Sequence, residues 1–366
     1  HLLMHFRAAC PGETTKRELP KHVKDFPVIK RNPLFKCPFC GDAKCTYRHM
    51  ERSKKPVIET PSIKIEDEKL PIKPALDATD SPGAPTMPPD CEEEKPPDPR
   101  DIPSEDLRPG QMFQMDMGFV RGSGFAVKDE DGRRITSLDG YNSYLIIVDR
   151  KTRRIWGFLS KCKSPPIKTA RTFIQKNACR FSTRKIIRTD EGGELWKSHD
   201  FQQMANEENF ILEPTAADAP FQNGLAERPN RTLGNMMQCL LNMAALGPEY
   251  WSWALLHAIY IKNRLPHRST GTTPYFAWTG EQPSAKAWRM FGSPVIVRLP
   301  GEKSAKLDTH TAHGIFLGFT ATDHNIYYRD SKTKRIKIGL HVTFDEGGMT
   351  LPPAERTLAQ KLLQDL

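Results

Sequence analysis

Three acidic residues in this chain stand where an acid needs a reason. Asp116 lies in the middle of MFQMDMGFV, between Met115 and Met117, in a run that reads as a strand. Acids are poor strand formers and costly to bury, so an Asp in that company points to a task. Asp190 closes KIIRTD just before Gly192 and Gly193, where sheets with parallel strands gather their sites. Glu227 follows after 36 further residues, at the start of LAERPNRTLGNMMQCLLNMAALG, whose spacing predicts a long helix. Such a helix, laid against the sheet, brings Glu227 towards both aspartates. Three carboxylates at one point repel unless divalent cations neutralise them. Mg²⁺ prefers oxygen ligands, and two such ions about 4 Å apart suit in-line phosphoryl transfer. Taken singly, each acid also has an ordinary reading, as an edge-strand solvating group, a turn residue or a partner for the positive helix N-terminus.

A second constellation sits at the front of the chain. His1 and His5 are spaced H-x3-H, and Cys37 and Cys40 form C-x2-C. Together they offer two nitrogens and two thiolates, the closed tetrahedral set of a structural Zn²⁺ site. CPFCGDAKCTYRH holds a local competitor in Cys37, Cys40, Cys45 and His49, and spacing alone does not choose between the two sets. Cys162, Cys179 and Cys239 lie far apart in apolar or helical patterns and read as buried thiols.

The elements that must position these residues follow from hydrophobic periodicity. MFQMDMGFV, YNSYLIIVDR and RRIWGFLSK read as three strands, the last two joined by a short hairpin turn at Arg150–Arg154 to which no binding role is assigned. IKTARTFIQKNACR has helical spacing, TRKIIRTDEGG is a strand, and SHDFQQMANEENF is a helix capped by Ser198. ILEPTA is a strand stopped by Pro214, and the long helix and PEYWSWALLHAIYIKNRLP complete the unit. The expectation is an α/β layout with a mixed five-stranded sheet, antiparallel first and parallel later. Beyond Arg289, SPVIVRLP, GIFLGF, HNIYYRD and KRIKIGLHVTF suggest a small barrel or meander, followed by a tail helix. From Pro56 to Pro109 the chain is dense in Pro and acids and cannot bury a core. The expected boundaries are 1–50 for the metal module, 51–110 for an extended linker, 111–285 for the core, 286–348 for the β-rich region and 349–366 for the tail.

A formal charge of +10 over 366 residues favours a polyanionic partner. No apolar run approaches the roughly 18–20 residues of a membrane span, and the start at His1 suggests a fragment or processed product. No YxDD-like polymerase signature and no D-T/S-G protease motif is found.

DMGFV, RTDEGGE and PFQNGLAERPNRTL, in that order, resemble the catalytic core of copia-type LTR retrotransposon integrases, relatives of retroviral integrases. The resemblance continues through TGTTPYFAWTGEQPSAKAWRMFGSP and GIFLGF, so that it covers most of residues 111–346. It implies a ribonuclease-H-like fold with Asp116, Asp190 and Glu227 as the catalytic triad, holding Mg²⁺ or Mn²⁺. It also implies an N-terminal HHCC zinc module, which selects His1, His5, Cys37 and Cys40 over the competing set. The partners it implies are double-stranded DNA, as element ends and as target, and further copies of the chain. Gln222, Asn223, Arg228 and Arg231 are the expected contacts to phosphates beside the scissile bond. Action in the nucleus, after a cytoplasmic particle stage, also follows from the resemblance. The chain departs from the family pattern at Glu191, where Asn is usual, at Pro229, where Lys is usual, and at Asp149-Arg150, where Asp-Asp is frequent. Pro229 and Glu191, with the long acidic linker, keep in view a DNA-binding copy without activity, and a ribonuclease-H-type nuclease is a separate rival.

Overall fold

The computed structural model describes residues 7–9, 11, 13–28, 106–121, 134–162, 164–180, 184–190, 193–215, 227–299, 310–320 and 325–346, without the side chains of residues 215, 227 and 228. The chain divides into His1–Cys45 with Ile102–Leu366, and Thr46–Asp101, and every described residue belongs to the first unit. His1, His5, Cys37 and Cys40, the competing Cys45 and His49, the Pro-rich stretch up to residue 105 and the expected tail helix lie outside the described residues.

Helix α1 (Glu13–His22) precedes β1 (Met112–Gly118), β2 (Ser143–Asp149), β3 (Ile155–Ser160), α2 (Ile167–Asn177), β4 (Lys185–Asp190), α3 (Glu194–Lys197), α4 (His199–Glu207) and β5 (Phe210–Thr215). The five strands form one sheet in the order β3-β2-β1-β4-β5. β1 pairs antiparallel with β2, and β2 with β3, the latter pair because a tight turn at residues 150–154 returns the chain at once. β4 and β5 join parallel, because helical crossovers carry the chain back each time. The mixed sheet is therefore as expected, and Ser198 caps α4 by accepting the Phe201 N–H at 3.3 Å. Pro214 does not stop β5: the strand runs through it to Thr215. β5 is an edge strand, so the N–H that proline lacks is not needed by a neighbour.

The alternation along the strands divides the sheet into two apolar faces. Phe113, Met115, Met117, Leu145 and Ile147 pack on Phe173 and Ile174 of α2 and on Phe201 and Met204 of α4. The opposite face, with Tyr144, Ile146, Val148 and Ile155, is covered by two helices, α5 (Glu227–Ala244) and α6 (Trp251–Arg264). α6 lies close on β3 because Gly157 leaves room: a Cβ there would sit 2.4 Å from Ile259 Cδ1. Asn263 at the end of α6 closes the open edge of β3. Its Oδ1 accepts the Ile155 N–H at 2.8 Å and its Nδ2 donates to the Ile155 carbonyl at 2.7 Å.

A short helix, α7 (Pro274–Thr279), was not anticipated, although TGTTPYFAWTG carries its signals. Thr273 caps it, Pro274 takes the first turn and Gly280 ends it at φ 76°. The remaining strands are β6 (Pro294–Arg298), β7 (Thr311–Phe319), β8 (Ile326–Asp330), β9 (Ile336–Gly339) and β10 (His341–Phe344), in the order β10-β6-β7-β8-β9. Leu340 alone joins the two outer strands, so the sheet has to curl round its core of Val295, Val297, Phe316, Ile326 and Tyr328. Cys239 is buried as expected, but Cys162 is exposed, since it falls in the bend just past the end of β3.

His257 of α6 is enclosed by the rings of Tyr260, Phe291, Phe316 and Phe319, and neither ring nitrogen has a hydrogen-bond partner among the described residues. Burial, with the Arg264 charge adding to it, pushes its pKa down to about 3. The unfolded chain, with its His near 6.5, therefore takes up the proton first. Stability is whole above pH 6.5 and falls below it by about 1.4 kcal/mol per pH unit until the folded value is reached. His267, held down to about 4, adds a similar slope over a narrower range. His257→Phe is expected to reduce, without abolishing, the loss of stability between pH 6 and pH 4, measured from urea unfolding at fixed pH.

Candidate active site

Asp116 departs from the alternation of its own strand. Met115 and Met117 point into the α2/α4 side of the sheet, so Asp116 lies on the α5/α6 side, where it is half-buried. The parallel ladder between β1 and β4 pairs Met112 with Ile186, Phe113 with Ile187 and Gln114 with Arg188. Two residues further along each strand stand Asp116 and Asp190, at the same level on adjacent strands. Asp190 is exposed and is the last residue of β4, at the carboxyl end where parallel sheets open to ligands.

The pair has a measurable electrostatic consequence. The Asp116 pKa is pushed up to about 6, first by burial, then by the Asp190 carboxylate, and last by Glu194 at the start of α3. Hydrogen bonds from Asn230 and from the Met117 N–H act in the other direction. The Tyr144 hydroxyl is pushed up to about 12 by burial and by the Asp116 charge. Its ring covers Gly118, where a Cβ would come within 2.1 Å of Tyr144 Cζ, so glycine is required for the ring to lie beside the acid.

Helix α5 supplies the third side of the site. Asn230 Nδ2 donates to Asp116 Oδ2, a contact between residues 114 positions apart. Its own Oδ1 is buried without a hydrogen-bond partner among the described residues. Glu227 is three residues earlier in the same helix, one turn before the residue that reaches Asp116. Pro229 is the third residue of the described helix, which continues unbroken to Ala244. A proline in a first turn removes no helical hydrogen bond. Asn230 was missed in the sequence, although it stands one turn after Glu227, the spacing that places two residues on one helix face.

The other expected residues are placed as follows. Arg231 is exposed on α5, beside Asn230. The side chain of Arg228 lies outside the described residues, as do Gln222 and Asn223. Among the described residues no group of three His, Cys, Asp or Glu is gathered as a metal site. What is gathered is two carboxylates that repel, with an unsatisfied amide oxygen beside them. These are hard oxygen donors with excess negative charge, a set that fits Mg²⁺ or Mn²⁺.

Residues 293–354 match the family described as "Retroviral polymerase SH3-like domain". The retrovirus-related Pol polyprotein from transposon TNT 1-94 of Nicotiana tabacum is 27% identical over 216 residues, which cover 58% of this chain and 16% of that protein. The corresponding polyprotein from transposon RE1 of Arabidopsis thaliana is 31% identical over 214 residues, 58% of this chain and 14% of its own length. This chain is a homologue of retrovirus-related Pol polyproteins. It matches less than a fifth of the length of those relatives. Solved structures of retroviral integrases are also similar. One is the HTLV-2 integrase catalytic core domain in complex with magnesium, with 18% identity, a TM-score of 0.33, and 47% of this chain aligned to 98% of that one. Another is a simian T-cell lymphotropic virus intasome in complex with PP2A regulatory subunit B56 gamma, with 15% identity, a TM-score of 0.33, and 65% of this chain aligned to 83% of that one. The matched family falls on the second, curled sheet, whose strands begin at Pro294.

The carboxylate pair can be tested directly. Asp190→Asn removes the second-largest cause of the Asp116 shift while burial remains, so the Asp116 pKa is expected to fall below about 6 and stay above 3.8. Asn230→Ala moves it upwards. Carboxyl-carbon NMR titration of the full chain reads both, and an Asp116 pKa unmoved by Asp190→Asn would show that the two carboxylates do not face each other.

Proposed function

We propose that this chain is the integrase segment of a retrotransposon Pol polyprotein, a polynucleotidyl transferase. On this reading it hydrolyses element DNA near its 3′ ends and then directs the new 3′-OH against target DNA. The observation that carries it is the meeting of Asp116 and Asp190, on adjacent parallel strands, with the helix turn that bears Glu227 and Asn230.

In the proposed site, Asp116, Asp190 and Glu227 are the carboxylates that hold divalent cations. When bound, two Mg²⁺ ions supply activation of the attacking oxygen and stabilisation of the leaving one. The chain's own part is to fix the carboxylates. The sheet sets the spacing of the aspartates, and Asn230 holds one oxygen of Asp116 so that the other stays available. Tyr144 screens the deep side of the pair from water. Arg231, with Arg228, Gln222 and Asn223, is proposed to contact phosphates flanking the scissile bond. His1, His5, Cys37 and Cys40 are proposed as a structural zinc module that aids multimer assembly, and the nucleus as the place of action. The unbroken course of α5 through Pro229 supports activity over the reading of an inert DNA-binding copy.

The experiment is a strand-transfer assay on labelled element ends with Mg²⁺ or Mn²⁺. Asp116→Asn, Asp190→Asn and Glu227→Gln are each expected to reduce product by about 100-fold or more, with an unchanged circular dichroism spectrum. Retained transfer in Glu227→Gln would remove that residue from the triad. Cleavage of an RNA–DNA hybrid without strand transfer would favour a nuclease instead.

A further inference from the structure

The turn between β2 and β3, given no role on sequence, does not stand out in solvent. Arg153 is partly buried and adopts φ 64°, the left-handed region that a non-glycine residue occupies only when its surroundings impose it. What imposes it is Asp149 below. That carboxylate accepts the Thr152 N–H and hydroxyl at 2.7 Å each and the Gly110 N–H at 2.9 Å, and the Arg153 N–H donates to the Asp149 carbonyl. The turn is thereby held with Arg153 against a cavity of about 560 Å³.

The cavity is lined by Arg153 from the turn, Thr232 from α5, Lys262 from α6, and His267, Arg268 and Ser269 from the loop after α6. Among the described residues no carboxylate lines it. Arg153, Lys262 and Arg268 make no ion pair among the described residues. Asp149, the acid that acts on Arg153, has its oxygens engaged by Thr152 and Gly110. Burial lowers the Lys262 pKa, and the charges of Lys262 and Arg153 both act on His267, so the cations stand round one space. Cations gathered round a partly desolvated space, with Asp149 the one acid that acts on Arg153, hold free energy that an entering anion releases. The Thr232 hydroxyl and the guanidinium forks suit oxyanions, while the Ser269 hydroxyl is engaged with His267 Nδ1 at 2.9 Å.

We propose that this cavity is a phosphate-binding site, taking the phosphoryl group of a nucleic-acid backbone or of a free phosphate. Its volume suits a nucleotide better than a bare ion. It lies on the same sheet face as Asp116: its floor residue Val148 pairs with Gln114, two positions before that acid on β1. Thr232 stands two residues after Asn230 on α5. The cavity lies towards the start of β1, so a strand seated at Asp116 and running along this face finds a second, cationic hold for its backbone there. The inference does not depend on the transferase reading, because a chain that cannot cut DNA still shows it.

The test measures binding, not chemistry. Full-length chain is titrated with a labelled DNA duplex by fluorescence anisotropy over a range of salt. In parallel, acylation of the Lys262 amine is followed by peptide mass spectrometry in the presence of the duplex, inorganic phosphate or polyglutamate. Lys262→Met and Arg268→Gln are each expected to weaken duplex binding about fivefold to tenfold and to lower the salt slope by about one. The duplex is expected to slow acylation of Lys262. Slowing by inorganic phosphate as well identifies a free anion as sufficient, and slowing by the duplex alone identifies the backbone phosphodiester. Arg268 is exposed, so Arg268→Gln carries the comparison if Lys262→Met fails to fold. Equal protection by polyglutamate would overturn the phosphate assignment. So would unchanged acylation under every ligand together with wild-type affinity in both variants.

Discussion

Like charges placed side by side govern this structure at its centre. Parallel pairing of β1 with β4 puts Asp116 and Asp190 at one level, and the sheet gives neither strand freedom to draw back. The repulsion is carried by Asp116, which is the more buried of the two and whose carboxyl is pushed up to about 6. Two neighbours moderate that charge, the Asn230 amide and the Met117 N–H, while Glu194 adds to it. A fold built only for stability has no use for such a pair, since an apolar residue at position 116 would continue the burial of its strand.

The same face of the sheet depends on α6. That helix is buried along most of its length, against β3 on one side and β7 on another, and is joined to the first strand pair by Asn263. It therefore ties the five-stranded core to the curled sheet that matches the SH3-like family. His257 at that seam is enclosed without a hydrogen-bond partner among the described residues, which makes the junction sensitive to acid. Where α6 ends, its last turn and the following loop turn from apolar packing to cations, and the proposed phosphate site begins at that change.

Much of the architecture was legible in residue order. Alternation or a continuous apolar run marked the strands of the first sheet, and Ser198 announced α4, whereas KRIKIGLHVTF reads as one stretch and is divided at Leu340 into β9 and β10. The acid in MFQMDMGFV was visible because its strand is otherwise apolar on both sides. Where the reading failed, tertiary context had overridden a local rule. Pro214 reads as a strand breaker but lies on an edge, where no partner asks for its N–H. Cys162 sits in an apolar pattern but falls past the last residue of its strand. The cations at residues 150–154 read as a solvent-facing hairpin, yet the Asp149 anchor turns Arg153 against a cavity.

The residue string by itself determined the α/β layout, the order and mixed pairing of the strands, and the identity of the acids that need explaining. These follow from periodicity, turn chemistry and the cost of burying charge, all of which act over a few residues. Three matters were decided only when the chain folded. The level at which Asp116 meets Asp190 depends on strand register across 74 residues. The grip of Asn230 on Asp116 depends on where a helix lies over a sheet. The gathering of Arg153, Lys262 and Arg268 joins a turn, a helix and a loop that share no local pattern. Each is set by packing between distant segments, and such contacts leave no spacing in the sequence from which they can be read.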